Sequence, residues 1–513
     1  MYKNYYITTP IYYPSAKPHM GHAYSSIIAD FFARFKRMDG FDVHFLTGTD
    51  EHGLKIQRAA EKKMIDPLIF CDEISQTFRD LSKTLNLSNT DFIRTTEKRH
   101  KKSVQHLWTE LEKNDDIYLS KYSGWYSVSD EAYYNEDEII EKNGKKIASV
   151  SGSLVEWIEE ESYFFRLSKW QNKLLDYYEK NADFISPKSR KNEVVSFVKS
   201  GLKDLSISRK AFSWGIKVPD NSDHIIYVWL DALTNYISAL NYPDTNNQLY
   251  KKFWPASVHL IGKDILRFHA IYWPAFLMAA KIPLPEKVYG HGWILSGDEK
   301  MSKSKGNILD PIDIINKYGL DPLRYYLIKE VSFGNDGNIS QDKLEDCINS
   351  DLANNYGNLC QRVTAFAEKN CSSKIPKIKN FNNDDLIMLN KFTNNLKIIR
   401  QEIDKQNINF YISFIVSALF EANKYFNDQE PWKKKDNNDR LNTIVYTSLE
   451  MIRKISFMLY PIIPDSIDKA LKIFNLDSKD INLESVASHN YLRAGSDINK
   501  IDIMFKKIEK KND

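Results

Sequence analysis

Cysteine is scarce in this chain, with four residues in 513, and Cys71, Cys347, Cys360 and Cys371 form no Cys-x-x-Cys pair. That spacing supports neither a disulfide framework nor a zinc knuckle, and it suits a reducing, cytoplasmic location. An excess of one charge is missing too: 71 Lys plus Arg stand against 68 Asp plus Glu, a net of +3. Any nucleic-acid contact must therefore come from local basic patches. The longest apolar run, Ala270 to Ala280, is far short of the ~20 residues that span a bilayer, and the N-terminus lacks a basic-then-apolar signal pattern. No membrane partner is expected. No internal repeat or long low-complexity stretch occurs. What remains is an ordinary globular composition, 42% hydrophobic and 27% charged, in a chain too long for one core.

Residues 5 to 22 organise the rest. A β-branched, aromatic strand (Tyr5 to Thr9) passes through a proline-punctuated turn into His19-Met20-Gly21-His22, where an amphipathic helix begins. A helix start after a parallel strand is an anion site, because free N–H groups and the positive dipole end face the same way. The two imidazoles fall on one side of it, and Gly21 adds no side chain. Taken alone, the motif reads equally as such a site or as the bland alternative, a metal pair or two surface histidines in a turn. The helix carries Ile27, Ile28, Phe31, Phe32 and Phe35 on one stripe and ends near Gly40, and a second strand, Val43 to Leu46, leads into Asp50-Glu51-His52-Gly53. Strand, helix, strand is a βαβ unit of a parallel sheet, whose ligands bind beyond the carboxyl ends of the strands. Asp50 lies on that edge, as a helix cap or as a substrate-binding carboxylate.

Residues 116 to 215 show short aromatic, alternating segments, which predicts a small inserted β-rich subdomain. The sheet pattern resumes at Ile225-Ile226-Tyr227-Val228-Trp229 and again at Val258 to Asp264, opening a helix that carries His269 and Trp273 one turn apart. A histidine amid Phe268, Ile271 and Tyr272 is either a satisfied core residue or the polar group of an aromatic pocket. A further strand, residues 288 to 295, precedes Lys300-Met301-Ser302-Lys303-Ser304-Lys305, which reads as a solvated basic loop or as a mobile clamp on phosphates. Beyond about residue 345 the pattern is helical. Leu441, Val445, Leu449, Ile452, Ile455 and Leu459 form one stripe stopped by Pro461 and Pro464, and Trp432 stands beside three lysines as core filling or as a stacking platform for a base.

His19-Met20-Gly21-His22 and Lys300-Met301-Ser302-Lys303-Ser304, in this order and before a helical region, resemble the HIGH and KMSKS motifs of class I aminoacyl-tRNA synthetases. The closer resemblance is to the methionyl-tRNA synthetase family, and it extends over nearly the whole chain. It implies an α/β Rossmann-type catalytic domain (residues 1–115 and 216–299) split by a connective subdomain (116–215), then a linking segment with the lysine loop (300–345) and an α-helical anticodon-binding domain (346–513). It implies activation of L-methionine by ATP with Mg²⁺, then transfer to tRNA(Met), initiator tRNA included.

By the same resemblance His19, Gly21, His22, Lys263, Asp264, Gly292, Trp293 and Lys303 bind ATP, and His19, His22, Lys300 and Lys303 are the catalytic groups. Ile11, Tyr12, Tyr13, Asp50, Trp229, Ala232, Leu233, Tyr236, Phe268, His269 and Trp273 bind methionine, and Asn358, Arg362 and Trp432 read the anticodon. Aromatic walls suit a linear thioether, with Tyr236 and His269 offering the sulfur a weak hydrogen bond. The chain departs from the family pattern where many members bind zinc: Ser127 and Asp130 stand in place of one cysteine pair and no second pair follows, so no structural zinc is expected. It also ends at Asp513 without the dimerising extension that some members carry, and a monomer is expected. The alternatives are another class I activator, which lacks its editing insertion or metal-binding cysteines here, and a catalytically inactive tRNA-binding relative, which would have no use for both phosphate motifs.

Overall fold

The computed structural model describes residues 3–296, 299–300, 310–489 and 491–509. They divide into two compact units, one of Asn4–Ala29 and Val43–Gly292, the other of Met1–Lys3, Asp30–Asp42 and Trp293–Asp513.

The first unit is built on a six-stranded sheet. Strands β1 (Asn4–Tyr12), β2 (Asp42–Thr49), β3 (Asp91–Arg94), β4 (Ile185–Ser186), β5 (Val258–Gly262) and β6 (Val288–His291) lie in the order β3-β2-β1-β5-β6-β4. Pairing is parallel, with Leu46 opposite Asp91, Ile7 opposite Val258, Leu260 opposite Tyr289 and Val288 opposite Ile185. Parallel strands are covered on both faces, which is why Tyr5 to Ile7 and Phe45 to Leu46 are buried without alternation. Strand order reverses between β1 and β5, the place where open α/β sheets bind ligands. Tyr13 and His19 follow β1, Asp50 follows β2, Lys263 follows β5 and Gly292 follows β6, so one sheet edge gathers them. Helix α1 (Met20–Met38) starts at His19-Met20, and its stripe from Ile27 to Phe35 is buried.

Two expectations change here. The β-rich part of the insertion, where Ile117–Ser127 pairs antiparallel with Glu156–Phe165, breaks off after Phe165 and resumes only at Leu205–Ser206, which pairs with Phe164–Phe165. Residues 171–180 and 188–199 are helical, and β4 between them belongs to the main sheet. A two-residue strand before Pro187 leaves no periodic trace. The run at Ile225 does not resume the parallel sheet either. Asn221–Ile226 lies in a separate antiparallel sheet, and Val228–Leu233 is a short helix, α2. A brief apolar run does not distinguish a strand from a buried helix.

The second unit is mainly helical. Helix Asn438–Leu459 is buried along almost its whole length, including the stripe from Leu441 to Leu459, and ends before Pro461. Within this unit Asp30 is fully buried between two arginines: Arg324 Nη2 and Arg34 Nε each lie 2.7 Å from its Oδ2, and Arg324 Nε donates to the Ile462 carbonyl at 2.8 Å. Breaking a buried pair from one side leaves the other charge uncompensated, at about 3–5 kcal/mol. Asp30→Ala is expected to lower unfolding stability by that amount, read as a fall in urea midpoint with unchanged slope. Among the described residues no helix is long and apolar enough to cross a membrane.

Candidate active site

The turn after β1 fixes two imidazoles against the helix start. His22 Nδ1 accepts from the His19 backbone N–H at 3.1 Å, and His19 Nδ1 accepts from Gly21 N–H, also at 3.1 Å. Each neutral ring therefore carries its proton on Nε2. The rings stack with centroids 3.8 Å apart. Burial, then the neighbouring His19, hold His22 well below the ordinary histidine range. A Cβ on Gly21 would lie 3.0 Å from His19 Cε1, so glycine here makes room for the histidine ring itself. The Tyr12 ring packs edge-on against His22 at 4.7 Å, and its hydroxyl is 2.9 Å from Ser26 Oγ. Strand alternation sends Tyr12 to this side and Tyr13 to the other. The structure thus places the Tyr12 side chain, expected to bind methionine, against His22 and Ser26.

Every residue of the corner after β2 is pinned. Asp50 N–H donates to the Tyr12 carbonyl at 2.9 Å, and Glu51 N–H to Thr95 Oγ1 at 2.9 Å. The Glu51 carboxylate takes Arg94 Nε at 2.6 Å and Thr96 Oγ1 at 2.5 Å, while Trp214 Nε1 donates to the Glu51 carbonyl at 2.6 Å. His52 Nδ1 lies 2.6 Å from Asp231, and Gly53 N–H donates to the Trp214 carbonyl at 3.2 Å. Amid these, Asp50 Oδ1 and the Tyr13 hydroxyl are buried and, among the described residues, make no hydrogen bond of ordinary length, although the hydroxyl lies close enough to the Asp50 carboxyl to favour its ionised form. Burial, then Asp231 and Glu131, push the Asp50 carboxyl well above the usual carboxylate range.

An aromatic cluster adjoins the corner. Trp229 on α2 stacks on Phe268 with centroids 3.7 Å apart and planes 7° from parallel. Ala232 and Leu233 are buried on the same helix, and Ile11 and Tyr13 pack against this core. Tyr236 stacks on His259 at 4.0 Å, and Trp273 lies 6.2 Å from Tyr236. His269 is lowered to about 4 by burial, so its ring is neutral. Its Nδ1–H donates to the Ile265 carbonyl at 3.0 Å, and its Nε2 accepts from the Tyr236 hydroxyl at 2.7 Å. Both protons expected to face a thioether sulfur are engaged, that of Tyr236 by the His269 ring and that of His269 by the Ile265 carbonyl, so in this arrangement neither reaches it. The indole N–H groups of Trp229 and Trp273 and His259 Nε2 are the buried polar atoms without partners there, among the described residues. Phe268–Tyr272 is a π-helical turn, a departure that sequence spacing does not announce and that recurs at functional sites.

Lys263 and Asp264 form a 3₁₀ turn at the end of β5. His291 at the end of β6 donates from Nδ1 to the Gly292 carbonyl at 2.8 Å and meets Ser25 Oγ of α1 at 2.8 Å. Trp293 belongs to the second unit, where its N–H donates to Asp336 at 2.8 Å. Lys300 lies in a strand whose backbone pairs with Leu295, and Lys303 lies outside the described residues.

Residues 5–364 match the family described as tRNA synthetases class I (M), and residues 375–513 the anticodon binding domain of methionyl tRNA ligase. The chain belongs to the class I methionyl-tRNA synthetases. It is 50% identical to the methionine–tRNA ligase of Rickettsia felis over 99% of both chains, and 50% identical to that of Brucella suis over 92% of both. Methionyl-tRNA synthetase of Mycobacterium tuberculosis in complex with methionyl-adenylate superposes with TM-score 0.95 at 42% identity, covering 98% of this chain and 99% of that one. The apo form of the same enzyme superposes with TM-score 0.89 at 39% identity, covering 100% and 99%.

In the second unit of this synthetase Arg362 Nη2 donates to Asn427 Oδ1 at 2.6 Å, and its guanidinium lies 5.6 Å over the Phe426 ring. Phe426 meets Trp432 edge-on at 6.2 Å, which brings two of the expected tRNA-reading residues together. Asn358, one turn before Arg362, opens the helix Asn358–Asn370. Sequence reasoning did not single out Phe426 and Asn427, which contact Arg362, nor in the first unit His52, His100, Glu131, Asp231 and His259, which neighbour the candidate site residues. Glu51-His52-Gly53 beside Asp50, and Leu230-Asp231-Ala232 beside Trp229, were the available signals.

Proposed function

We propose that this synthetase condenses L-methionine with MgATP to methionyl-adenylate and pyrophosphate, then transfers the methionyl group to the 3′-terminal adenosine of tRNA(Met), initiator tRNA included. The observation that carries the reading is Asp50 Oδ1 and the Tyr13 hydroxyl, two neighbouring buried groups that make no hydrogen bond of ordinary length, at the end of an aromatic cluster. A carboxylate left open in a corner otherwise saturated with hydrogen bonds fits a substrate ammonium, and flat rings fit an unbranched thioether. Trp229, Ala232, Leu233, Tyr236, Phe268, His269, Trp273 and the Ile11 backbone complete that pocket in this reading. With the Tyr236 and His269 protons engaged, shape rather than a sulfur hydrogen bond discriminates.

The methionine carboxylate is already ionised and attacks the α-phosphate in line without a general base, so catalysis lies in positioning and in cations and N–H donors at the developing charge. His19 and His22 supply Nε2–H donors beside Gly21 at the helix start. The family resemblance assigns Lys263, Asp264, Gly292 and Trp293 to adenosine, and Lys300 and Lys303 to the phosphates. Mg²⁺ arrives as part of the nucleotide and needs few protein ligands. The helical part from about residue 346 reads tRNA through Asn358, Arg362 and Trp432. Four free cysteines and a ribosome-serving product favour the cytoplasm, and we propose a monomer there, testable by light scattering.

Amino-acid-dependent ATP–pyrophosphate exchange across the standard amino acids tests the reading. Exchange confined to methionine supports it, and exchange with another amino acid, or none, overturns it. Trp432 is 41% exposed beside Phe426, and stacking on a base is worth ~1–3 kcal/mol. Trp432→Ala is therefore expected to spare exchange while raising KM for tRNA in charging by about 10–100-fold.

A further inference from the structure

Asp231 is buried between two histidines. His52 Nδ1 lies 2.6 Å from its Oδ2 and His100 Nε2 lies 2.7 Å from its Oδ1, with His100 Nδ1 in turn 3.0 Å from Ser238 Oγ. All four side chains are buried, in elements 52, 100, 231 and 238 residues along the chain. A carboxylate only accepts, so both rings present an N–H to it. His52 and His100 hold Asp231 ionised, down at about 2 against the opposing effect of burial.

The order Ser, His, Asp resembles a nucleophilic triad, but Ser238 Oγ donates to the Thr234 carbonyl within its own helix at 2.8 Å and is sealed from solvent. Packing does not require the charge either, since apolar residues of similar volume often replace a buried ion pair without loss of stability. What the pair does is geometric. His52 stands two residues from Asp50, and Asp231 stands two residues from Trp229 and next to Ala232 on α2. The bond between them joins the corner that bears the open carboxylate to the helix that bears the aromatic wall.

We infer that Asp231 is a positioning residue for amino-acid selection: through His52 it fixes the distance between the Asp50 carboxylate and the Trp229 wall, and so the length of side chain that fits between ammonium and pocket end. The inference rests on the methionine reading of the same site. It goes beyond that reading by naming two groups that touch no substrate and set its length. Directional short bonds to a charged partner hold such a spacing more tightly than apolar contacts do. A small misplacement of reacting groups is costly in turn.

The test compares two amides of similar size at one position. Asn places its amide nitrogen where His52 Nδ1 donates, and Gln places it one bond further out. Met-dependent exchange is measured for wild type, His52→Asn and His52→Gln, with methionine and with ethionine, which is one methylene longer. His52→Gln should raise KM for methionine about tenfold, leave KM for ATP unchanged, and reduce the methionine-to-ethionine preference. His52→Asn should stay within about threefold of wild type on all three. Equal behaviour of the two amides, or methionine and ATP constants rising together, would overturn the inference while wild-type exchange with methionine still stands. Absence of methionine exchange in wild type would instead remove the underlying reading. If His52→Gln folds poorly, its melting temperature falls without a change in KM of the active fraction, and that result also counts against a ruler.

Discussion

Asp50→Asn is expected to lower kcat/KM for methionine by about 10³-fold and to leave the affinity for ATP within about twofold. Truncating one partner of a buried charge pair costs about 3–5 kcal/mol, and each 1.4 kcal/mol is a factor of ten. The loss should be near the middle of that range because the corner cannot adapt: Glu51, His52 and Gly53 are each held by side chains or backbone of other elements, so an asparagine amide sits where the carboxylate sat and offers the ammonium a dipole in place of a charge. The same residue sets a pH dependence. Burial, Asp231 and Glu131 raise the Asp50 carboxyl, while Tyr13, Glu51, Lys55, Cys71 and Tyr236 are further titratable groups that interact with it. A raised value means that the free enzyme keeps Asp50 protonated to higher pH than an ordinary carboxylate. Ammonium binding needs it ionised, so KM for methionine should fall as pH rises through that value and climb again when methionine loses its own amino proton. In Asp50→Asn the acidic limb should vanish. A mutant profile that retains this limb would assign the titration to another group.

The features legible in the sequence are those carried by local pattern. β1, the turn to His22, β2 leading into Asp50, and the buried stripe of Asn438–Leu459 all follow from period and punctuation within about twenty residues. The site was legible where one strand end or one helix start carried it, as with His19 and His22. It was illegible where side chains far apart in the chain complete each other. His52, His100 and Asp231 look separately like a turn residue, a helix residue and a cap, and only the fold joins them. The insertion shows the same limit. Asp130 was noticed as a missing cysteine, yet its carboxylate accepts from Tyr134 at 2.7 Å and from Ser151 and Ser153 at 2.6 Å each, hydroxyls up to 23 residues away. The π-turn at Phe268–Tyr272 and the helical start at Val228 are consequences of packing, for which the same residues would have served as α-helix or strand. Tyr12 is a different case: strand alternation sends its side chain to the histidine side, while the family resemblance assigns the residue to methionine.

His22→Asn and His22→Gln separate the two jobs of that ring. Asparagine keeps an acceptor where Nδ1 takes the His19 N–H, so the helix start survives, but it has nothing at the Nε2 position. Glutamine carries an amide N–H there. Removing one preorganised donor from a developing oxyanion costs about 10²–10³ in rate. His22→Asn is therefore expected to lose about that factor in the rate of methionine-dependent pyrophosphate exchange, with KM for methionine unchanged, and His22→Gln is expected to recover much of it. Because burial and His19 keep His22 neutral, donation requires no added proton, and wild-type exchange should show no His22 limb between about pH 6 and 8. The two variants also decide what Gly21 is for. A Cβ there would press on the His19 ring at 3.0–3.1 Å, so Gly21→Ala should tilt the stacked pair and lower the exchange rate even though both imidazoles remain. If His22→Asn were as active as wild type, the ring would be a helix cap only, and the phosphate contact would rest on the backbone N–H groups of the helix start.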